Sequence, residues 1–236
     1  GKIKNPELYP DVPLWHYVRN CCLEYIYMMG KYYLLPMAFR NLTSNLDAIK
    51  NSKNASAVLL IHGYGRNQSV WWWFRKQLTD IPYPIYSLNL EPAFGAIQLI
   101  ASNSLAAKIK QIKQETDCKE VILICHSMGG LVGSYYSEFL DEEKLIKTII
   151  TISTPFYGTK IAVAGMGDNS KQMCPGTTFT TDLRAAIATS NKKYYNIATR
   201  LDNIVFPWQS ELLEHKPKTQ QFILDFEAHL CMLHSK

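Results

Sequence analysis

The sequence predicts an α/β protein with a mostly parallel central sheet, helices on both faces and a small loop-rich cap. Short unbroken apolar runs recur along the chain, which is the pattern of strands that are buried on both faces. Segments of helical periodicity separate these runs, and this alternation is typical of a parallel sheet with right-handed crossovers. The 236 residues are 47% hydrophobic and 19% charged, so the chain suits one medium-sized globular core.

Two regions are expected along the chain, an N-terminal region of residues 1–55 and a main domain of residues 56–236. Prolines predict an extended arm at the start, and apolar residues at helical spacing then predict a helix over residues 14–29 that ends at Gly30. Residues 14–40 are rich in aromatic and apolar side chains. We expect them to pack on the main domain or to lie on a membrane or dimer surface. No run reaches ~18 apolar residues, so no membrane-spanning helix is predicted.

Within the main domain, apolar runs predict strands and periodic segments predict helices. The helix at residues 69–78 carries three consecutive tryptophans, which we interpret as wall and core residues. Residues 160–190 contain several glycines and few regular periods, so they are expected to form the loop-rich cap. Strands are predicted at residues 57–61, 84–90, 121–124, 145–152, 194–199 and 221–226, and further helices at residues 102–117 and 131–140.

A serine stands in the turn between the strand at residues 121–124 and the helix that follows. A nucleophilic serine in such a turn has strained backbone angles, so the residues two positions to either side must be small. Gly129 meets this condition on one side, and Cys125 replaces the usual glycine on the other. The stretch resembles the nucleophile elbow of the α/β-hydrolases, with Ser127 as the nucleophile. An ordinary turn is the alternative interpretation.

The strand at residues 57–61 runs directly into His62, Gly63 and Tyr64 of an HG-x-G motif. In an α/β-hydrolase this position supplies the first backbone N–H of the oxyanion hole, and the residue after the nucleophile supplies the second. We therefore expect the amides of Tyr64 and Met128 to bind an oxyanion. Four residues are expected to shape the substrate pocket: His62, Gly63, His126 and Phe156.

A serine nucleophile needs a base, and the base needs an acid that orients it. In α/β-hydrolases these follow the serine in the order Asp or Glu, then His. Asp202 follows the strand at residues 194–199, and His229 follows the last predicted strand by three residues. Asp202 and His229 are therefore the predicted acid and base.

Other acids and histidines downstream of the serine fit these roles less well. Asp182 opens a helical segment, where the helix terminus explains it. Asp225 is placed within the last predicted strand. His215 lies in a charged, proline-flanked segment and His234 lies near the C-terminus, so both are predicted to be exposed.

Charge and cysteine patterns argue against two further classes of function. The net charge is +5, and the basic residues are scattered, so a solvated surface explains them better than a nucleic-acid site. The six cysteines lack the spacing of metal ligands. We therefore predict no metal site, and the serine chemistry outlined above needs no cofactor.

Further motifs follow in order over residues 57–235, and together they resemble the bacterial lipases and esterases of the α/β-hydrolase superfamily. The chain departs from the pattern at Cys125 and Cys231, where relatives carry glycine, and at Phe156, where many carry histidine. The matching segments are His62–Trp72, Asn89–Gly95, His126–Leu131, Thr154–Thr159, Gln172–Gly176, Asp202–Val205 and His229–Leu233.

This resemblance implies a serine carboxylic-ester hydrolase that acts through Ser127, His229 and Asp202 by way of an acyl-enzyme. Lipid-like or other apolar acyl esters are the expected substrates. Two alternatives stay open: an acyltransferase or thioesterase with the same triad, and a catalytically silent binding protein on a hydrolase scaffold. Some relatives are membrane-anchored through hydrophobic N-terminal segments. This favours membrane association through residues 14–40, preceded by a further native segment, over a cytoplasmic or secreted location.

Overall fold

The computed structural model describes residues 13–33, 56–213 and 219–234. The predicted N-terminal arm, residues 34–55 and His215 lie outside the described residues.

Six strands form one parallel sheet in the described part of the chain, which confirms the predicted architecture. They are β1 (Ser56–Ile61), β2 (Ile85–Ser87), β3 (Glu120–His126), β4 (Thr148–Ile152), β5 (Lys193–Thr199) and β6 (Thr219–Leu224). Their order across the sheet is β2-β1-β3-β4-β5-β6. The order of the strands reverses between β1 and β3. In an open α/β sheet the ligand site is expected at such a switch point, beyond the carboxyl ends of the strands.

The sheet is buried on both faces along β1, which explains the unbroken apolar run of this strand, whereas the edge strand β6 is mostly exposed. Successive side chains of a strand point to opposite faces. Leu59 and Ile61 belong to the larger hydrophobic core on one face, whereas Val58 and Leu60 belong to a second core on the other. Trp71, the first of the three tryptophans, is fully buried in the second core.

Helices cover the sheet and supply a large part of the larger core. They are α1 (Leu14–Tyr33), α2 (Trp72–Lys76), α3 (Ile97–Ile100), α4 (Ala106–Thr116), α5 (Met128–Tyr135), α6 (Gly167–Gln172) and α7 (Thr178–Thr189). One π-helical turn joins α3 to α4, and another extends α5. Short 3₁₀ turns lie at Gln68–Trp71, Lys160–Ala164, Trp208–Glu211 and Cys231–Leu233.

Several helices differ from the sequence prediction. Helix α1 continues through Gly30 to Tyr33, and the segment predicted as a helix at residues 69–78 is a 3₁₀ turn followed by the short α2. The cap region, predicted as loops, contains all of α6 and α7. The Thr177 side chain accepts a hydrogen bond from the Thr180 N–H and so caps the start of α7.

Two residues near the C-terminus also differ from expectation. Strand β6 ends at Leu224, so Asp225 follows it, and its carboxylate lies 3.3 Å from Arg200 in a half-exposed ion pair. His234 is partly buried, not exposed, and burial lowers its pKa to about 4.

Candidate active site

Ser127 lies between the carboxyl end of β3 and the first residue of α5. Its φ of 55° and ψ of −128° are strained for a residue that carries a side chain. The main chain holds this conformation. The Ser127 N–H donates to the Ile152 carbonyl at 2.8 Å, and its carbonyl accepts from the Gly130 N–H at 2.9 Å. The turn therefore presents the Ser127 hydroxyl at the crevice predicted from the strand order.

Two glycines let the chain pack closely around this turn. A Cβ at Gly129 would lie 2.5 Å from the carbonyl oxygens of both Ile61 and His62. A Cβ at Gly63 would lie 2.8 Å from the Cβ of Ser127. Only glycine permits such close approach of one backbone to another. The HG-x-G loop is thus packed directly against the elbow.

Cys125 fits at the first glycine position of the G-x-S-x-G elbow pattern because α5 has a glycine opposite it. A Cβ at Gly133 would lie 2.8 Å from Cys125 Sγ, so the bare helix backbone leaves room for the sulfur. Cys125 is fully buried, and burial raises the pKa of its thiol. It acts as a small packing residue under the elbow.

Asp202 and His229 lie side by side beyond the ends of β5 and β6. His229 Nδ1 lies 2.6 Å from Asp202 Oδ2, and both side chains are buried. Asp202 Oδ1 also accepts from the N–H groups of Ile204 and Val205 at 2.7 and 2.5 Å. Burial alone would raise the pKa of Asp202, but the charge and hydrogen bond of His229 hold it below its ordinary value. An ionised Asp202 can fix the Nδ1–H tautomer and stabilise an imidazolium.

Neighbouring loops hold the backbone of the turn that carries His229. The His229 N–H donates to Asn203 Oδ1 at 3.3 Å, and the His229 carbonyl accepts from His126 Nε2 at 3.1 Å. Burial, and then the nearby His229, lowers the pKa of His126 far below its usual value, so His126 is neutral. Within the described residues no hydrogen bond joins the Ser127 hydroxyl to the His229 ring.

Helix α1 reaches the same turn with two side chains that are four residues apart. Glu24 Oε1 accepts from the Leu230 N–H at 2.5 Å, and Asn20 Nδ2 donates to the Phe226 carbonyl at 2.9 Å. Both side chains are buried, and burial raises the pKa of Glu24. Sequence reasoning missed these contacts. The available signal was that Glu24 is the single acidic residue of an otherwise largely apolar helix.

The predicted oxyanion donors lie at the same end of the sheet. Met128 begins α5, so its N–H has no acceptor within the helix. The Tyr64 N–H donates to no acceptor in the described part of the chain. His62 holds the loop that carries Tyr64, because its Nδ1 donates to the Gly63 carbonyl at 2.9 Å and its Nε2 accepts from the Leu90 N–H at 3.0 Å. Burial lowers the pKa of His62 to about 4, so it stays neutral.

A cavity of about 250 Å³ opens beside Ser127. The loop after β4, the cap and the segment after Asp202 form its walls, and none of its described lining residues carries a charge. Val163 and Met166, which lie next to lining residues, are 77% and 65% exposed. The cavity is therefore suited to an apolar group. Its lining residues are Tyr64, Ser127, Pro155, Thr159, Ile161, Ala162, Ala164, Gly165, Ser170, Met173, Ile204 and Val205.

The structure corrects the predicted pocket. Phe156 is fully buried and belongs to the larger core, so it does not line the cavity. His62, Gly63 and His126 do not line it either, because the two histidines are hydrogen-bonded to main-chain groups and Gly63 packs behind Ser127. These three residues contact the main chain or Ser127 and so stabilise the loops that form the site. The cap and the segment after Asp202 supply the pocket walls that the sequence did not indicate.

Two further findings concern metals and membranes. Among the described residues, no three His, Cys, Asp or Glu side chains are grouped so that they could hold a metal ion. In the same residues, no helix is long and apolar enough to cross a membrane.

The sheet order, the strained turn at Ser127 and the loops that carry Asp202 and His229 after β5 and β6 together define the α/β-hydrolase fold. Residues 87–172, which include Ser127, match the family model described as the PGAP1-like alpha/beta domain. No curated protein matches the sequence significantly.

Solved structures share this fold over about three quarters of the chain. The mature lipase BlEst2 of Bacillus licheniformis has a TM-score of 0.63 and 18% identity, over 77% of this chain and 87% of the lipase. Lipase B of Aspergillus fumigatus has a TM-score of 0.64 and 20% identity, over 76% of this chain and 46% of the lipase. Est1E of Butyrivibrio proteoclasticus has a TM-score of 0.60 and 12% identity, over 77% of this chain and 82% of Est1E. The predicted resemblance to lipases and esterases is thereby confirmed at the level of the fold.

Proposed function

We propose that this protein is a serine carboxylic-ester hydrolase that acts on lipid-like or other apolar acyl esters. The observation that carries this proposal is the buried His229–Asp202 pair, which His126 links to the strained Ser127: His126 Nε2 donates to the His229 carbonyl, and the next residue, Ser127, lines an uncharged cavity. Strained backbone at a functional serine and a carboxylate-oriented histidine are the elements of nucleophilic catalysis.

In the proposed mechanism the Ser127 hydroxyl attacks the acyl carbonyl, and His229 Nε2 takes its proton. Asp202 accepts the His229 Nδ1–H and stabilises the imidazolium that forms. The N–H groups of Tyr64 and Met128 donate to the tetrahedral oxyanion, and each such donor is worth about 2.7–4 kcal/mol in comparable enzymes. His229 then protonates the leaving alcohol, and water, activated by the same base, releases the acid from the acyl-enzyme.

The cavity supports the apolar acyl group of the proposed substrate. A charged acyl chain would lose its hydration without finding a partner, because the lining residues include no ionisable side chain other than the Tyr64 phenol. The hydroxyl of that phenol already has hydrogen-bond partners in the cap. It donates to the Met166 carbonyl at 2.9 Å and accepts from the Met166 N–H at 2.7 Å.

Labelling with a fluorophosphonate probe tests the nucleophile. We expect the wild type to be labelled and Ser127→Ala to lose all labelling, whereas Ser102→Ala, on the exposed side of the π-turn, should label like the wild type. An unlabelled wild type at saturating probe would overturn the enzyme proposal and favour a silent binding protein.

Hydrolysis of p-nitrophenyl esters of graded chain length tests the substrate class. We expect kcat/KM to rise from acetyl to longer acyl groups, since the cavity is apolar. The same assay with added alcohol or thiol acceptors distinguishes the alternatives. Predominant transfer to an acceptor would identify an acyltransferase, and preference for thioesters would identify a thioesterase.

We also propose that α1 contacts a lipid surface. The face with Asn20 and Glu24 packs on the His229 turn, while Trp15, Val18 and Tyr25 on other faces are 58%, 56% and 64% exposed. Tryptophan and tyrosine are favoured at the boundary between lipid and water.

Sedimentation with lipid vesicles tests this contact. The double variant Trp15→Ser/Tyr25→Ser should sediment less than the wild type and keep its activity on soluble esters. Phe139→Ser, which removes another half-exposed aromatic ring far from α1 in the sequence, is the matched control. Equal sedimentation of all three proteins would exclude the membrane role of α1.

A further inference from the structure

Glu211 is a buried acid for which the proposed mechanism has no use. It ends the 3₁₀ turn Trp208–Glu211 and is 0% exposed. Its Oε2 accepts from the Thr199 N–H at 3.1 Å, and its main-chain carbonyl accepts from Asn196 Nδ2 at 2.8 Å. Thr199 is the last residue of β5, so these contacts place Glu211 directly beneath the loop that carries Asp202.

The other carboxyl oxygen of Glu211 has no donor among the described residues. The Glu211 carboxyl interacts with the Asp202 carboxyl and with the hydroxyl of Ser153, which follows β4 and also donates to Met232 Sδ at 2.8 Å. Two ionised carboxylates in contact, both buried, would repel each other and leave oxygens without donors. One of the two must therefore carry a proton, and this proton would also satisfy the orphaned oxygen.

The surroundings decide which carboxyl holds the proton. Asp202 already accepts hydrogen bonds from His229 and from two backbone N–H groups, all of which favour its ionised form. Glu211 accepts one backbone N–H group and is favoured in its ionised form by the Ser153 hydroxyl alone among side chains, and within the described residues it is paired with no lysine or arginine. Burial, and then the charge of Asp202, raises the pKa of Glu211 well above its ordinary value of 4.5.

We propose that Glu211 is a positioning residue that stays protonated at neutral pH and donates its carboxyl proton in a hydrogen bond to Asp202. This proposal rests on the proposed function for its catalytic consequence, since Asp202 is the acid that orients His229. Ser127, His229, Asp202 and Glu211 then form one series, in which Glu211 fixes the Asp202 carboxylate from the side away from the base. Hydrogen-bonded partners of this kind hold catalytic groups in their productive geometry.

Infrared difference spectroscopy tests the position of the proton without any assay of activity. The spectrum of the wild type minus that of Glu211→Gln at pH 7 should contain the carbonyl stretch of a protonated carboxylic acid. The corresponding difference for Glu91→Gln, at an exposed glutamate, should lack this stretch. Carboxylate bands alone for Glu211 would overturn the proposal.

Thermal unfolding gives a second test of the proton. The folded protein holds a proton on Glu211 that the unfolded chain releases above about pH 4.5, so the wild type loses stability as the pH rises. Glutamine cannot titrate. The melting temperature of Glu211→Gln relative to that of the wild type should therefore increase from pH 5 to pH 8. A difference that does not change with pH would contradict a protonated Glu211.

Kinetics test the positioning role. Glu211→Gln keeps a donor for Asp202 and should retain kcat within about threefold, whereas Glu211→Ala should lower kcat by about tenfold to a hundredfold with little change in KM. Equal losses in both variants would refute positioning through a neutral donor. If no variant and no wild type shows esterase activity or probe labelling, the proposed function fails, while the infrared and melting results still decide where the proton lies.

Discussion

The two sides of the candidate site are held in place by different parts of the protein. The nucleophile side is built from main chain, because backbone hydrogen bonds fix Ser127 and the glycines at 63 and 129 leave no space for a Cβ. The base side is built from side chains, which reach the His229 turn from α1, from the Asp202 loop and from His126. A substitution cannot remove a main-chain hydrogen bond without displacing the backbone, whereas each side-chain hydrogen bond can be removed by a single substitution. We therefore expect abrupt effects on the first side and graded effects on the second.

The largest effect is expected at Gly129, on the nucleophile side. Gly129→Ala would place a Cβ 2.5 Å from two carbonyl oxygens of the β1 end, and neither backbone atom can move without displacing the sheet. We expect a loss of about 3 kcal/mol or more in the free energy of unfolding, measured by urea denaturation. Labelling of Ser127 by the fluorophosphonate probe should be lost as well.

Gly176→Asn is the matched control for this variant. Gly176 has a φ of +77°, which asparagine tolerates, and a Cβ there would meet no atom within 4 Å. The free energy of unfolding of Gly176→Asn should differ from that of the wild type by less than about 1 kcal/mol. If both variants unfolded at the same urea concentration, the close packing around the elbow would not be a constraint on the fold.

A smaller effect is expected at Glu24, on the base side. Glu24→Ala removes the acceptor of the Leu230 N–H, one residue after His229, and leaves that buried group without a partner. We expect a loss of about 1–3 kcal/mol in the free energy of unfolding. The rate of probe labelling should fall by about tenfold, because the His229 turn is held less firmly.

Two variants of α1 sharpen this prediction. Glu24→Gln keeps an oxygen acceptor and should restore most of the labelling rate. Arg19→Ala removes only a partly exposed ion pair, 3.9 Å from Glu227, and should change stability by less than about 1 kcal/mol. The contradicting outcome is that Arg19→Ala lowers the labelling rate and the stability as much as Glu24→Ala does. In that case the overall packing of α1 would explain both effects, and a specific role of the Glu24–Leu230 hydrogen bond would be excluded.

Those parts of the fold that depend on local sequence were predictable. A strand buried on both faces must be apolar at every position, so β1 and β3 are readable from the runs around Leu59 and Leu123. The strained turn at Ser127 needs a small residue two positions away, so Gly129 made the turn recognisable in the sequence. Asp202 and His229 follow strand ends in a fixed order along the chain. Their catalytic roles stay predictions, although the two side chains are hydrogen-bonded in the structure.

Other features could not be predicted because they depend on what the chain meets from far away in sequence. Phe156 follows a strand end like a pocket residue, but the surrounding helices bury it in the core. The cap glycines indicated loops, whereas the side-chain cap of Thr177 and packing against α5 stabilise α7, and α6 packs against α3. Glu211 lies in a segment of ordinary charged composition, and only the fold brings it against Asp202.

By itself, the sequence determined the parallel sheet, the place of Ser127 in a strand–helix turn and the positions of Asp202 and His229 after strand ends, since each depends on residue type within a few positions. The tertiary structure decided which surfaces line the cavity, which face of α1 turns inward and which carboxyls lie buried together. The physical reason is that burial and hydrogen-bond partners set the energy of a polar group, and residues as distant as Glu24 and Leu230 provide them.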